Sequence, residues 1–254
     1  FVYKGGTNLS VYGAAIVDSV AGGTMKVAVT IKSGTLQLNG TNLYTGPTLL
    51  ECGVLGGTGS LLSAVTVQPA GTLAPGGSIG TMTVSNEVTL GGTNLMEVSK
   101  TGTTITNDLL RGVSTLHYGG TLQLALSGDA LAAGDTITLY DATAYQGGFN
   151  VIIPATPGAN LAWDTSALTT TGTLQVVPKA APTISAFGLL GDGNFSLTLD
   201  ATLGQPYSIR TSTNVGAPIL EWSLLTNGTI PSVPFLFDDL TATNHPQRYY
   251  IIST

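Results

Sequence analysis

The sequence predicts an all-β protein in which a stack of short coils is followed by a small antiparallel β-sandwich. Residues 56–98 carry the clearest pattern, because short runs of Val, Leu, Thr and Met alternate with breaks of Gly, Pro, Ser and Asn. Each run is long enough for one strand, and each break contains residues that favour turns. No run has the length and the 3.6-residue period of an amphipathic helix. Coils of this kind stack into a β-solenoid, in which each coil covers the next.

The composition favours an extensive β structure with a neutral surface. Only 9% of the 254 residues are charged, against roughly 25% in a typical soluble domain, and 34 residues are glycine. Hydrophobic residues make up 43% of the chain, but no apolar run approaches the ~18 residues needed to cross a bilayer. We therefore expect no membrane span. A weakly charged surface gives little repulsion between copies, which favours self-association.

The chain begins with a β-rich segment, residues 1–33, which has predicted turns at Gly5-Gly6 and Gly22-Gly23. From residue 34 onwards two phrases recur. Gly-Thr-Leu stands at 34–36, 71–73, 120–122 and 172–174, and Gly-Thr-Asn-Leu stands at 6–9, 40–43 and 92–95. We expect Gly to turn the corner, Thr to lie outside and Leu to enter the core. The unequal spacings predict a degenerate repeat with coils of unequal length.

Residues 34–60 read GTLQLNGTNLYTGPTLLECGVLGGTGS, and residues 71–84 read GTLAPGGSIGTMTV. Together they resemble the autotransporter-associated β-strand repeat, and the likeness continues to residue 177. The resemblance implies a right-handed parallel β-helix over residues 34–177, in a secreted or cell-surface bacterial protein. Two features depart from that family: residues 1–33 fit the repeat poorly, and no membrane-barrel translocator follows.

A proline-rich stretch, residues 178–182, predicts a linker, because its two prolines remove ladder donors and fix φ. Beyond it, residues 183–254 contain six or seven short strands at 8–12-residue spacing, which predicts an antiparallel sandwich. Asp192-Gly193 is a hairpin signal, and Asn227-Gly228 predicts another turn. The segments YSIRTSTN, EWSLL, FLFDD and RYYII resemble an immunoglobulin- or fibronectin-type module. Alternation along the strands predicts a set of inward aromatic residues: Tyr207, Trp222, Phe235, Phe237 and Tyr249.

Charge and cysteine content exclude several classes of partner and site. The net charge is −6 and the eight Lys and Arg are scattered, so nucleic acid is not expected as a partner. Cys52 is the only cysteine, which excludes an intrachain disulfide and a CxxC site, and we expect it to be buried in its strand. Because the chain begins at Phe1 without a signal peptide, we expect a mature or trimmed secreted product.

Two motifs that suggest chemistry have simpler structural interpretations. Residues 76–80 match the G-x-S-x-G nucleophile elbow, which requires a helix directly after the serine. Thr-Met-Thr-Val follows Ser78 instead, so a Gly-rich corner explains the motif better. His117 and His245 are the only histidines, and with one cysteine they fall short of the three or four ligands of a zinc site.

Carboxylates are the remaining candidates, because β-helix lyases and glycosidases place acids along one face. A glycosidase needs two carboxyl groups roughly 5–10 Å apart. Glu87 and Glu97 are expected on adjacent coils, and Asp108 lies with Arg111 in TNDLLRG, a stretch compatible with one helical turn. All of them are isolated in neutral sequence without an aromatic platform for sugar. We therefore expect no enzyme activity, no catalytic residue, no cofactor and no metal.

The sequence favours a structural function, as a subunit of an extracellular fibre or adhesive layer. A solenoid end presents unpaired strand edges, and residues 1–17 are the candidate to add a strand to a neighbour. Such a head-to-tail contact produces open filaments of the same chain. Two alternatives stay open: a glycan-binding adhesin module and a polysaccharide-degrading β-helix. The predicted subunit interface consists of Phe1, Val2, Tyr3, Leu9, Val11, Tyr12, Ile16 and Val17.

Overall fold

The computed structural model describes residues 1–18, 25–201 and 205–253. The protein is nearly all β, with about 60% of its residues in strands and about 4% in helix. The chain divides into two compact units, Phe1–Pro178 and Lys179–Thr254. The division falls at the start of the proline-rich stretch. The turn predicted at Gly22-Gly23 lies outside the described residues.

The described part of the first unit contains seventeen strands and one short helix, α1 (Leu168–Thr171). The strands are β1 Val2–Tyr12, β2 Val29–Leu38, β3 Thr41–Asn42, β4 Thr48–Gly57, β5 Ser60–Leu61, β6 Val65–Pro75, β7 Thr81–Val84, β8 Val88–Leu90, β9 Thr93–Thr101, β10 Thr104–Asn107, β11 Leu109–Tyr118, β12 Thr121–Gly128, β13 Thr136–Thr138, β14 Tyr140–Gly147, β15 Val151–Ile153, β16 Leu161–Asp164 and β17 Thr173–Pro178.

Parallel pairing dominates this unit and forms one large curled sheet. One series runs β1, β2, β4, β6, β9, β12, β15, and each strand pairs in parallel with the next. A second series runs β2, β4, β6, β8, β11, β14, and a shorter third series runs β3, β5, β7, β11. β6 pairs with β8 through its first half and with β9 through its second. Long strands therefore belong to two series, and the sheet curls around its core.

The Gly-Thr-Leu phrases behave as the sequence predicts. Leu36, Leu55 and Leu73 occupy paired positions on β2, β4 and β6, so they stack on one another inside the curl. Burial of each such side chain contributes about 1.5–3 kcal/mol. The threonine of each Gly-Thr-Leu phrase is only half-buried, as an outward position requires. The four leucines of the phrase are all buried: Leu36, Leu73, Leu122 and Leu174.

The Gly-Thr-Asn-Leu phrases at 40–43 and 92–95 differ from the prediction, because their asparagine enters the core in place of leucine, whereas Asn8 of the first phrase is exposed. Asn42 and Asn94 are buried, whereas Leu9 and Leu43 are exposed and Leu95 is half-buried. The extra residue shifts leucine by one position, and side chains alternate between the two faces of a strand. The inserted asparagine thus takes the inward position.

In both buried asparagines the side-chain nitrogen and oxygen each have a hydrogen-bond partner. The Asn94 amide donates to the carbonyl of Leu73 at 3.0 Å and accepts from the hydroxyl of Tyr140. The Asn42 side-chain oxygen accepts from the backbone N–H of Ile16 at 3.1 Å. A buried polar group without a partner costs about 1–3 kcal/mol, and these hydrogen bonds avoid that cost for the inward asparagines. Each amide links consecutive passes of the chain.

The C-terminal part of the first unit leaves the parallel pattern. β13, β17 and β16 form an antiparallel sheet of three strands. Aromatic rings fill the core nearby, with Tyr118 in edge contact with Tyr140 at 5.3 Å and tilted against Phe149 at 4.9 Å. Trp163 on β16 packs against the same core. None of the helices in the described ranges is long and apolar enough to cross a membrane.

The second unit contains two antiparallel sheets. One has the order β18-β19-β22 and the other β21-β20-β23, and both contribute to a single hydrophobic cluster. The turn at Asp192-Gly193 joins β18 to β19 as the sequence predicts. The strands are β18 Thr183–Leu189, β19 Phe195–Asp200, β20 Pro206–Ser212, β21 Ser223–Thr229, β22 Phe235–Asp239 and β23 Tyr249–Ser253.

Two predictions for this unit are wrong in detail. Asn227-Gly228 is not a turn but part of β21, where Gly228 pairs with Tyr207. The Tyr207 ring lies 3.5 Å from the position of a Cβ at Gly228, so the aromatic ring covers the glycine. On β23, Tyr250 packs into the core in place of Tyr249. The other four predicted aromatic residues are buried or half-buried: Tyr207, Trp222, Phe235 and Phe237.

Candidate functional site: the edge of the first strand

β1 forms one edge of the large parallel sheet. It pairs with β2 along one side, from Val2 opposite Thr30 to Tyr12 opposite Leu38. Among the described residues, no other strand pairs with its second side. A strand edge of this kind presents unpaired backbone N–H and C=O groups, which can pair with a further strand.

The outer face of β1 is more apolar than the outer face of β2, the strand beside it. Leu9 and Val11 stand opposite Thr35 and Gln37 of β2, and each is 58% exposed. Val2 is also exposed and lies opposite Thr30. The first strand therefore carries aliphatic side chains where the second carries polar ones. Exposed aliphatic residues on an edge strand indicate an interaction surface.

The inner face of β1 is incompletely covered. Phe1, Tyr12, Ile16, Leu36 and Leu38 line an apolar cavity of about 180 Å³ at this end of the sheet. Leu36 and Leu38 are buried, but Phe1 and Tyr12 remain exposed. Residues 1–17 thus cover the core from one side and leave the rings of Phe1 and Tyr12 partly in solvent.

A bulge gives β1 its shape. Pairing shifts between Lys4 and Leu9, and the Tyr3 hydroxyl donates across this bulge to the carbonyl of Thr35 at 3.1 Å. Beneath it, Gly34 has φ +77°, and a Cβ there would lie 2.9 Å from the backbone of Gly5. Glycine is needed at 34 because the conformation and the close approach both exclude a side chain.

The eight predicted interface residues all lie on β1 or directly before or after it, within residues 1–17. Tyr3 and Ile16 are half-buried and pack against the core, so they support the edge more than they form its surface. Their half-burial follows from their positions beside Thr35 and Asn42, which hold them through hydrogen bonds. The other six are exposed: Phe1, Val2, Leu9, Val11, Tyr12 and Val17.

Of the three candidate carboxylates, Glu97 and Asp108 line the same groove, whereas Glu87 is not among its lining residues. The carboxylate of Glu87 lies 2.7 Å from Nε2 of His117, within hydrogen-bonding distance. Asp108 lies between β10 and β11, so the helical turn predicted there is wrong. Residues 104–107 form a hairpin with β9, and the next residues join the parallel sheet.

Among the residues that the structure describes, Asp108 is the one acidic residue buried without a cation beside it. Its side chain is 1% exposed, and its two oxygens accept from the backbone N–H groups of Gly80 at 2.8 Å and Glu97 at 2.7 Å. Burial outweighs these hydrogen bonds and, together with the charge of Glu97, raises the pKa of Asp108 to about 6. Since both oxygens bind backbone, the carboxylate holds chain segments together. Sequence reasoning missed this role, because no pattern marks it.

The groove beside Asp108 has a volume of about 100 Å³, and most of the residues that line it are Gly, Ala, Pro, Val and Leu. Of the described residues that line it, none is aromatic. Ser78 lies nearby in the exposed connection between β6 and β7, and a strand follows it. The two carboxyl groups that line this groove are those of Glu97 and Asp108, and both oxygens of Asp108 are engaged by backbone N–H groups.

Cys52 is exposed, and the prediction that it is buried is wrong. The reason is a register shift between β4 and β6, where Leu50 pairs with Val67 but Cys52 pairs with Ala70. The shift breaks the alternation that would place Cys52 inside. In the described ranges, no three side chains of His, Cys, Asp or Glu are grouped as metal ligands.

No model of a known protein family matches the chain. A search of curated proteins likewise finds no match.

Proposed function

We propose that the first unit is a right-handed parallel β-helix and the second a β-sandwich of the immunoglobulin or fibronectin type. The three parallel series then correspond to three faces of one coil, since long strands pass from one series to another. The repeat resemblance over residues 34–177 favours the same fold and its hand. In the second unit, two three-stranded sheets that share one core favour the sandwich.

We propose that the protein is a structural subunit of a secreted, cell-surface filament or adhesive layer, assembled head-to-tail through strand edges. One observation carries this proposal: β1 has an unpaired edge and exposes Leu9 and Val11 beside it. Proteins that remain monomeric protect such edges with charges, prolines or covering loops. β1 carries a single charged residue, Lys4, and no proline. A second copy of the chain is the partner that this edge favours.

Charge at the edge is expected to abolish assembly. In the Leu9→Lys/Val11→Lys variant, two ammonium groups would have to lose water at the contact between copies, which costs several kcal/mol. Both side chains point outward, so folding of the unit is expected to be preserved. Negative-stain microscopy and sedimentation velocity should show filaments for the wild type and monomers for the variant.

The matched control is Val54→Lys, which places one lysine on the same outer face in the middle of the sheet. This variant should assemble like the wild type. Filaments of unchanged length in the Leu9→Lys/Val11→Lys variant would contradict assembly through β1. A wild type that stays monomeric at all concentrations would contradict the proposed function as a whole.

A glycan-binding function is the second candidate, because the second unit exposes an aromatic stack. Phe187 is 74% exposed and stacks at 6.0 Å on Phe195, which stacks in turn at 5.0 Å on Tyr250. A flat exposed ring of this kind can receive the apolar face of a sugar. Binding on a glycan array that is lost in Phe187→Ala would favour this function over the filament.

A further inference from the structure

The far end of the first parallel series has a second free edge. β15 (Val151–Ile153) pairs with β12 along one side, with Val151 opposite Thr121 and Ile153 opposite Gln123. No other strand of the described residues pairs with its second side. Val151 is 49% exposed and Ile153 is 47% exposed. The sequence did not mark this strand as an interface.

On the outer face of the first series, one column of paired residues runs from β1 to β15. Leu9 and Val151 stand at the two ends of this column, and the positions between them are threonine except for one valine. Two residues further along, the ends are again aliphatic, with Val11 paired with Gln37 at one end and Ile153 with Gln123 at the other. The column runs Leu9, Thr35, Val54, Thr72, Thr93, Thr121, Val151.

The two ends therefore carry aliphatic residues at matching positions. Interior threonines suit a face in contact with water, whereas exposed aliphatic residues at both end strands leave apolar surface unburied. If β1 of one copy continues the ladder of another, Leu9 stacks on Val151 and Val11 on Ile153. Between them, Ser10 then stands above Ile152, just as it stands above Leu36 in its own chain.

We propose that β15 is the acceptor edge, and that β1 of a second copy pairs with it in parallel, with Leu9 opposite Val151 and Val11 opposite Ile153. This inference rests on the proposed self-assembly and identifies its second surface. The two edges cannot meet within one chain, because seven strands at a spacing of about 4.8 Å hold them roughly 29 Å apart. They belong to opposite ends of the ladder, so the contact is heterologous and extends without closing.

Disulfide trapping tests the register directly. All variants carry Cys52→Ser, because Cys52 is exposed and would react. In Leu9→Cys/Val151→Cys, the two introduced thiols face each other across neighbouring strands at a Cα separation of about 4.8 Å, which a disulfide can bridge. In the control Leu9→Cys/Ile153→Cys, the separation is about 8 Å, beyond the ~7 Å limit. Each assembled protein is oxidised with copper phenanthroline and run on a non-reducing gel.

We expect a ladder of covalent multimers from Leu9→Cys/Val151→Cys, at least tenfold stronger than from the control pair. Filaments that form without this ladder would overturn the acceptor edge while leaving the proposed self-assembly intact. Covalent dimers from Leu9→Cys alone would overturn both, because they indicate a two-fold contact between two β1 strands. A protein that does not assemble in any variant also overturns both.

Discussion

Replacing Asp239 with alanine is expected to lower the stability of the second unit by about 3–5 kcal/mol. The Asp239 side chain is 1% exposed and lies 2.6 Å from Nη1 of Arg248, whose side chain is only 13% exposed. Removing one partner of a buried ion pair costs about 3–5 kcal/mol, because the other charge stays buried without compensation. A unit of about 75 residues has a total stability of roughly 4–11 kcal/mol, so this loss takes a large share of it.

The cost is high because Asp239 is the centre of a network. Its carboxylate accepts from the backbone N–H and the hydroxyl of Thr241 at 2.9 and 2.7 Å, and from the hydroxyl of Tyr250 at 2.9 Å. Burial acts to raise the pKa of Asp239, but these hydrogen bonds and the charge of Arg248 outweigh it and lower the pKa. The network joins β22 to β23, which lie in different sheets. Its loss therefore removes a polar link between the two sheets, which then depend on their shared hydrophobic cluster.

Fluorescence of Trp222, buried in this unit, reports the transition once Trp163 is replaced by phenylalanine. The matched control is Asp238→Ala, which removes the exposed neighbouring carboxylate and should leave the urea midpoint unchanged. Asp239→Ala/Arg248→Met should recover part of the loss, because it leaves no unpaired buried charge. If Asp239→Ala and Asp238→Ala unfold at the same urea concentration, the network has no stabilising role.

Local patterning predicted the β content and much of the core. Alternation and the Gly-Thr-Leu phrase placed Leu36 and Leu73 inside, because a strand has a side-chain period of two and each phrase begins at a corner. The edge at β1 was also predictable, since residues 1–17 precede the repeats and carry aliphatic residues with little charge.

Other features depend on long-range register, which the sequence does not display. Cys52 faces outward because β6 contains an extra residue opposite it, 17 to 18 positions further along the chain. Asn94 faces inward because its amide meets the Leu73 carbonyl and the Tyr140 hydroxyl, 21 and 46 positions away. The Val151–Ile153 edge is visible only once the order of strands is known. Distant pairings of this kind decide which of two alternating faces is buried.

Asp108 is expected to make the first unit lose stability as the pH rises from 4 to 6. The pKa of its carboxyl is 3.8 without the fold and about 6 within it, chiefly because burial disfavours the charge. The folded state therefore binds the proton more tightly than the unfolded state does. The contribution of Asp108 to stability is fully present below about pH 3.8 and is lost as the pH rises through about 6. The shift corresponds to about 2–3 kcal/mol, or roughly 4–12 °C in Tm.

The measurement is the Tm of the full chain between pH 4.5 and 7, followed by calorimetry. Asp135 in the same unit does not interfere, because its hydrogen bond from Lys100 lowers its pKa and places its titration below this range. In Asp108→Asn the slope should disappear, since the amide keeps the shape of the carboxyl and cannot ionise. The exposed Asp141→Asn is the control and should retain the slope. A wild-type Tm that rises with pH across this range would show that the two backbone N–H groups outweigh burial and keep Asp108 ionised.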